Sequence, residues 1–301
     1  MKKIIKKILK PVYIQYSLLR KKFLIKHFPR YYIIKEYRKR LGKTPDLENP
    51  KDFSEKIQWL KLNYRDDLIV TCSDKFAVRE YVKQKLGADL CVPLIGVYDK
   101  PEEIDFNILP QSFVLKPNNS SGRVLICKDK AHLSIKKAKK TLNKWQKENL
   151  SSLTGEWVYE KSPFKIIAEQ FLQENITDYK LYFAKDTFIA TQVISDRLNN
   201  FYIDYFDEKW CDLGILRNKN KNNPMPTEKP KAYEKMIEVG KILCAPFPFS
   251  RLDFYEVSEK IYVGEISFFP NNGFVSFKTS EMDKIISEKI DIQSLKEKAK
   301  E

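Results

Sequence analysis

Residues 251 to 274, RLDFYEVSEKIYVGEISFFPNNGF, alternate in a way that suits two paired strands. Side chains on a strand point to opposite faces in turn, so Arg251, Asp253 and Tyr255 share one face while Leu252 and Phe254 share the other. On the partner strand, Ile261, Val263, Glu265 and Ser267 are expected on one face. A turn at Ser258-Glu259-Lys260 sets Asp253 opposite Glu265 and Arg251 opposite Ser267, an arrangement that a one-residue slip would break. Carboxylates facing each other destabilise a sheet unless a cation lies between them. Hard oxygen ligands of this kind suit Mg2+, which keeps several waters and bridges to nucleotide phosphates. An exposed hairpin whose carboxylates pair with lysines is the alternative reading of these residues alone.

The 301 residues, 43% hydrophobic, suffice for one large or two modest domains. The net charge of +15 is unevenly spread: residues 1 to 43 carry 15 Lys or Arg against the single acid Glu36, so the remainder is nearly neutral. A folded body without excess positive charge argues against nucleic acid as a partner. Residues 1 to 28 alternate lysines with Ile4, Ile5, Ile8, Leu9, Leu18, Leu19, Phe23 and Leu24. This predicts an amphipathic helix, kinked or divided at Pro11, lying on an anionic membrane surface. A helix packed on the body with a solvated lysine face remains the other reading. No apolar run reaches the ~20 residues of a membrane span, and the interrupting lysines argue against a signal peptide. Five cysteines without a Cys-x-x-Cys pair fit free thiols in a reducing compartment, without a zinc signature. His27 and His132 are too few for a histidine-rich metal site and too scattered for a triad.

Along the body, FSEKIQWLKL has the apolar spacing of a short helix, and Ser73 or Asp74 is expected to cap another through Leu86, stopped at Gly87. That helix would hold Lys75 and Arg79 one turn apart, either reaching a phosphate or lying on a solvated face. SFVLK and RVLICK read as strands around PNNSSG, a loop able to turn backbone N–H groups toward phosphate oxygens, with Lys116 and Lys128 supplying charge; an ordinary hairpin loop would look the same. Ser134 is expected to cap an amphipathic helix. KIIAEQFLQ reads as a strand with Glu169 near its end, and two more strands around Lys185-Asp186 carry Asp178, Lys180, Asp196 and Arg197. Pro230 opens a helix through about Leu243.

FSEKIQWLKL, SDKFAVREYV, FVLKPNNSSG, IAEQFL, DYKLYF, FPFSRLDFY and GEISFFPNNGF, in that order over roughly residues 50 to 280, resemble the ATP-grasp superfamily, and within it the TupA-like (teichuronopeptide-biosynthesis-like) branch. The resemblance implies an α+β fold in which two subdomains with antiparallel sheets clasp ATP. The expected divisions are a basic arm (1–44), an N-terminal segment (45–110), a small subdomain (111–170) and a C-terminal subdomain with the metal site (171–301). By the same resemblance Lys116 and Lys128 would hold phosphates, covered by Asn118, Asn119, Ser120, Ser121 and Gly122. Glu169, Gln170, Phe171 and Leu172 would form the adenine hinge, and Asp178 belongs with the nucleotide-binding set. Asp253 and Glu265 would bind Mg2+, while Arg251 and Lys180 meet the transferred phosphate or the acceptor. Ser267 stands where many ATP-grasp enzymes have an asparagine ligand, which makes Asn271 or Asn272 its substitute. The implied reaction couples an amino acid or small amine to a carboxylate, such as a uronic acid of a bacterial surface polysaccharide. The expected location is the cytoplasmic face of the bacterial membrane. A membrane-associated glycosyltransferase is the alternative, although no Asp-x-Asp occurs to hold a nucleotide-sugar metal.

Overall fold

The computed structural model describes residues 2–148, 150–217 and 220–298, with side chains from Tyr13 onward, Met282 and Lys298 excepted. Five helices lead the chain: α1 (Lys2–His27), α2 (Pro29–Leu41), α3 (Phe53–Asn63), α4 (Asp67–Ser73) and α5 (Val78–Leu86). α1 is one helix, not divided at Pro11. α3 starts on a capping box: Asp52 Oδ1 accepts from Glu55 N at 2.9 Å, and Glu55 Oε2 accepts from Asp52 N at 3.3 Å. The helix expected to begin at Ser73 or Asp74 instead begins at Val78. Asp74 accepts from Phe76 N and Ala77 N, which holds Lys75 in a turn before the helix rather than on it. Gly87 ends α5 in the left-handed conformation, as expected.

Two antiparallel sheets follow. The first has the order β1-β4-β2-β3, from β1 (Leu94–Tyr98), β2 (Phe113–Pro117), β3 (Leu125–Cys127) and β4 (Ile166–Gln170). Between β3 and β4 the chain forms α6 (Ile135–Lys147), capped by Ser134, and the short α7 (Ser151–Thr154). Phe106, Phe113, Leu115, Leu142 and Ile166 form this sheet's own core. The second sheet has the order β7-β6-β5-β8-β9, from β5 (Asp178–Ala184), β6 (Thr187–Ser195), β7 (Tyr202–Phe206), β8 (Ser250–Val257) and β9 (Lys260–Ser267). α8 (Tyr233–Cys244) packs on it, and α9 (Ser280–Lys289) and α10 (Ile292–Lys298) close the described chain. A larger core centred on Phe183, Phe247, Phe249 and Phe254 joins this sheet to α3, α4 and α5.

The β8–β9 hairpin sets Asp253 opposite Glu265 and Arg251 opposite Ser267, as the alternation predicts, but by a different route. The turn has two residues: Val257 pairs with Lys260, and Ser258 and Glu259 both take positive φ, 51° and 64°, as a type I′ turn requires. This would shift the register by one residue. A bulge restores it, because Phe254 pairs with Val263 and leaves Gly264 as the extra residue. The bulge reverses the faces beyond it, so Ile261 and Val263 lie in the core with Phe254 and Ile266 rather than beside Glu265.

The arm is tied down at its C-terminal end. Leu24 and Ile25 pack with Tyr32, Ile33 and Leu47, while Tyr13, Tyr16, Leu19 and Phe23 are exposed. Among the described residues no helix is long and apolar enough to cross a membrane.

Candidate active site between the two sheets

Asp253 is 2% exposed and takes three hydrogen bonds from two side chains. Arg251 Nε donates to its Oδ1 at 2.7 Å and Arg251 Nη2 to its Oδ2 at 2.8 Å, a two-pronged contact, and Lys180 of β5 donates to Oδ2. Sheet register explains the meeting, since Lys180 on β5 pairs directly with Asp253 on β8. Glu265 receives Arg251 Nη2 at 3.4 Å, Ser267 Oγ at 3.2 Å and, from the turn before α5, Lys75 Nζ at 3.1 Å. Burial alone would raise the Glu265 carboxyl; Lys75, Lys180 and Arg251 outweigh it and hold the group well below the usual carboxylate range. Asp178 pairs with Arg197 and lies 3.9 Å from Lys180 Nζ. Three strands and two turns, the second carrying Arg197 after β6, thus deliver a mesh of opposite charges that sequence spacing alone does not bring together.

The first sheet supplies a second mesh. Lys116 Nζ lies 2.6 Å from Glu169 Oε2, and Arg79 Nη2 lies 3.1 Å from Glu169 Oε1, all three side chains being buried or nearly so. Lys75 also donates to the Ser120 carbonyl at 2.6 Å, joining the loop after β2 to Glu265. Within that loop the roles divide. Asn118 is fixed into the body, donating to Asp74 Oδ2 at 2.5 Å and accepting from Lys165 N at 2.7 Å, and Asn119 donates to the Ser162 carbonyl at 2.8 Å. Ser120 Oγ is buried without a hydrogen-bond partner, and Gly122, at φ +70°, turns the chain. Lys128 stands just past β3, exposed and paired with Glu174; it is not in the lining of either cavity described below.

Two cavities meet here. One, about 370 Å3, lies between the sheets. Val92, Val114, Ile126, Phe171 and Leu172 give it an apolar end, while Lys75, Lys116, Glu169, Asp178, Asp253 and Glu265 give it a charged end. The other, about 740 Å3, has Ser121, Gly122, Ser267, Asn271, Arg217, Arg40 and Lys21 in its lining. Gly122, Lys180, Arg197 and Glu265 line both. An apolar slot ending in lysines suits a nucleotide. Among the described residues no group of three or more His, Cys, Asp or Glu could hold a metal by itself. Two facing carboxylates nonetheless fit Mg2+, which takes one or two carboxylates together with waters and phosphate oxygens.

The family profile described as TupA-like ATPgrasp matches residues 55–291. The chain belongs to the TupA-like ATP-grasp family. Membership makes it an ATP-grasp ligase, of the class that joins a carboxylate to an amine using ATP. Family and fold are thus as the sequence motifs implied, and α1 and α2 lie outside the matched region. Among solved structures the chain is similar to D-alanine–D-alanine ligase from Helicobacter pylori (16% identity, TM-score 0.46, covering 79% of this chain and 69% of that one). It is similar also to L-amino acid ligase from Bacillus licheniformis (13%, 0.44, 73% and 49%) and to D-alanine–D-alanine ligase from Bacillus anthracis complexed with ATP (13%, 0.42, 76% and 68%). No curated protein matches the chain.

In this ATP-grasp ligase the structure gathers Lys116, Glu169 to Leu172, Asp178, Lys180, Asp253 and Glu265 around the cleft between the sheets. Asn271, exposed on the loop after β9, lines the larger cavity with Arg251, Glu265 and Ser267. Sequence reasoning missed Glu156, Gln192 and Arg217, which line the larger cavity from segments without a motif. Glu156 is buried, and burial raises its carboxyl to about 7 despite the opposing charge of Lys61. A lone glutamate after Thr154-Gly155 gives no signal in sequence.

Proposed function

We propose that this ligase activates the carboxylate of a uronic acid in bacterial surface-polysaccharide synthesis and joins it to an amino acid or small amine. The observation that carries the reading is the meeting of the two cavities at Lys180, Glu265, Arg197 and Gly122. ATP lies in the smaller cavity with its base against Phe171 and Leu172 and its phosphates toward Lys116, Lys75 and the Ser120–Gly122 loop. Mg2+ held by Asp253 and Glu265, with Asn271 as the further ligand, would neutralise phosphate charge. The acceptor carboxylate enters from the larger cavity. Its oxygen attacks the γ-phosphorus, the bond to the ADP oxygen breaks, and an acyl phosphate results. The amine nitrogen then attacks the acyl carbon, phosphate leaves with the bonding electrons, and the amine loses its proton. Arg251 and Lys180 change partners from Asp253 to the phosphoryl oxygens as charge builds there, the electrostatic stabilisation that phosphoryl transfer needs most.

The polysaccharide substrate rests on the family resemblance, and α1 fits it by laying exposed Tyr16, Leu19 and Phe23 with neighbouring lysines on the anionic inner face of the membrane. The test is ADP and phosphate release against a panel of uronic acids and amines, run beside thermal shift with Mg-ATP and Mg-UDP-sugars. The expected result is ADP release that requires both a carboxylate and an amine. Stabilisation by a UDP-sugar alone would reject the ligase and favour a glycosyltransferase.

A further inference from the structure

The larger cavity is about twice the volume of the ATP cleft, and the charges lining it are one-sided. Among the described residues, six cationic side chains face it (Lys21, Arg40, Lys180, Arg197, Arg217, Arg251) against two carboxylates, Glu156 and Glu265. Near the cleft the cations are balanced: Lys180 and Arg251 by Asp253, and Arg197 by Asp178. Arg40 pairs with Glu36 at 3.0 Å. Lys21 and Arg217, both half-buried, have no carboxylate within 4.0 Å among the described residues.

We infer that this cavity holds a receptor for a second anionic group of the acceptor, a phosphate or carboxylate, formed by Lys21 of α1, Arg40 of α2 and Arg217. This rests on the ligase reading for the first group, the carboxylate that is activated near Lys180. Arg217 is held in place by a polar chain across the sheet. Its guanidinium bears on the Tyr205 hydroxyl, Gln192 Nε2 donates to that hydroxyl at 2.7 Å, and Tyr182 donates to Gln192 Oε1 at 3.3 Å, beside Arg251. Lys21 and Arg40 reach the cavity from α1 and α2, outside the sheet that carries Lys180 and Arg251, so the second anion is a separate group of the acceptor, as in a sugar bearing a phosphate. Burial and the nearby Arg40 and Lys39 charges lower the Lys21 ammonium, with Glu36 opposing them; a bound anion would relieve this cost. The arm is thereby part of the acceptor site, contributed by residues outside the matched family region.

The test is isothermal titration of the full-length protein with inorganic phosphate, with Mg-AMPPNP saturating the ATP cleft. One phosphate site is expected, weakened at least about fivefold in Lys21→Gln and in Arg217→Gln and largely restored in Lys21→Arg and Arg217→Lys. The Lys and Arg replacements also guard against a variant that simply fails to fold. No phosphate binding, or equal binding in all variants, overturns the inference. Displacement of phosphate by phosphatidylglycerol vesicles assigns the site to a lipid headgroup and likewise overturns it. If Mg-AMPPNP itself does not bind, the ligase reading falls, and the same variants titrated without nucleotide judge the arm site separately.

Discussion

Asp253 is the residue whose loss should cost most, because it is buried and balances two buried cations. Asp253→Ala leaves Lys180 and Arg251 without their main partner and is expected to destabilise the fold by about 3 to 5 kcal/mol, measured by urea denaturation. Asp283 makes the opposite prediction. Burial, with the Asp52 charge adding to it, raises its carboxyl to about 6 in the folded protein from 3.8. A raised acid penalises the folded state once it ionises, so the penalty is absent below the unfolded value and grows as pH rises through about 6. Asp283→Asn keeps an oxygen to accept from Phe53 N, and should raise Tm more at pH 8 than at pH 4 in thermal melts. Arg251, Asp253 and Glu265 were legible because strand alternation fixes their common side at short range. Lys75 meeting Glu265 was not, since 190 positions separate them and only the packing of α4, just before Lys75, beside β9 closes the gap.

The β8–β9 hairpin shows how an element can be read correctly in outcome and wrongly in detail. Sequence alternation gave the Asp253–Glu265 pairing, but a two-residue turn and the Gly264 bulge together produce it. A Cβ on Gly264 would come within 2.9 Å of the Tyr255 ring and 3.3 Å of the Asp253 carbonyl. Gly264→Ala is therefore expected to cost about 1 to 3 kcal/mol and to lower ATP turnover by more than its stability loss explains, because it disturbs the strand carrying Glu265. Turnover and urea denaturation measured on the same preparation check this. The bulge was invisible in sequence because its signal, one glycine inside a strand, also fits an unbulged strand. Start signals fared unevenly for a related reason: Ser134 caps α6 as read, whereas the Asp74 side chain builds a turn before the helix rather than its first turn.

At the scale of the molecule, two sheets with separate cores enclose a cleft, and a second cavity continues it to the arm. The ordered motifs made the two-sheet fold legible; the larger cavity was not, since it is assembled from α1, α2, the loop after β7 and the residues after β9, which no local pattern links. The arm's concentration of charge sets a further expectation. Phe23→Ser with Leu19→Ser should reduce sedimentation with anionic vesicles, and added salt should reduce it for the parent protein; unchanged sedimentation in both would exclude membrane docking. The proposed reaction depends above all on ATP binding in the cleft between the sheets through Mg2+ at Asp253 and Glu265. The most direct test of that binding is isothermal titration with AMPPNP, with and without Mg2+, on the parent protein and on Glu265→Ala. One site is expected, needing Mg2+ and weakened at least about tenfold in Glu265→Ala. Nucleotide binding indifferent to both Mg2+ and Glu265, or no binding by the parent protein, would contradict it.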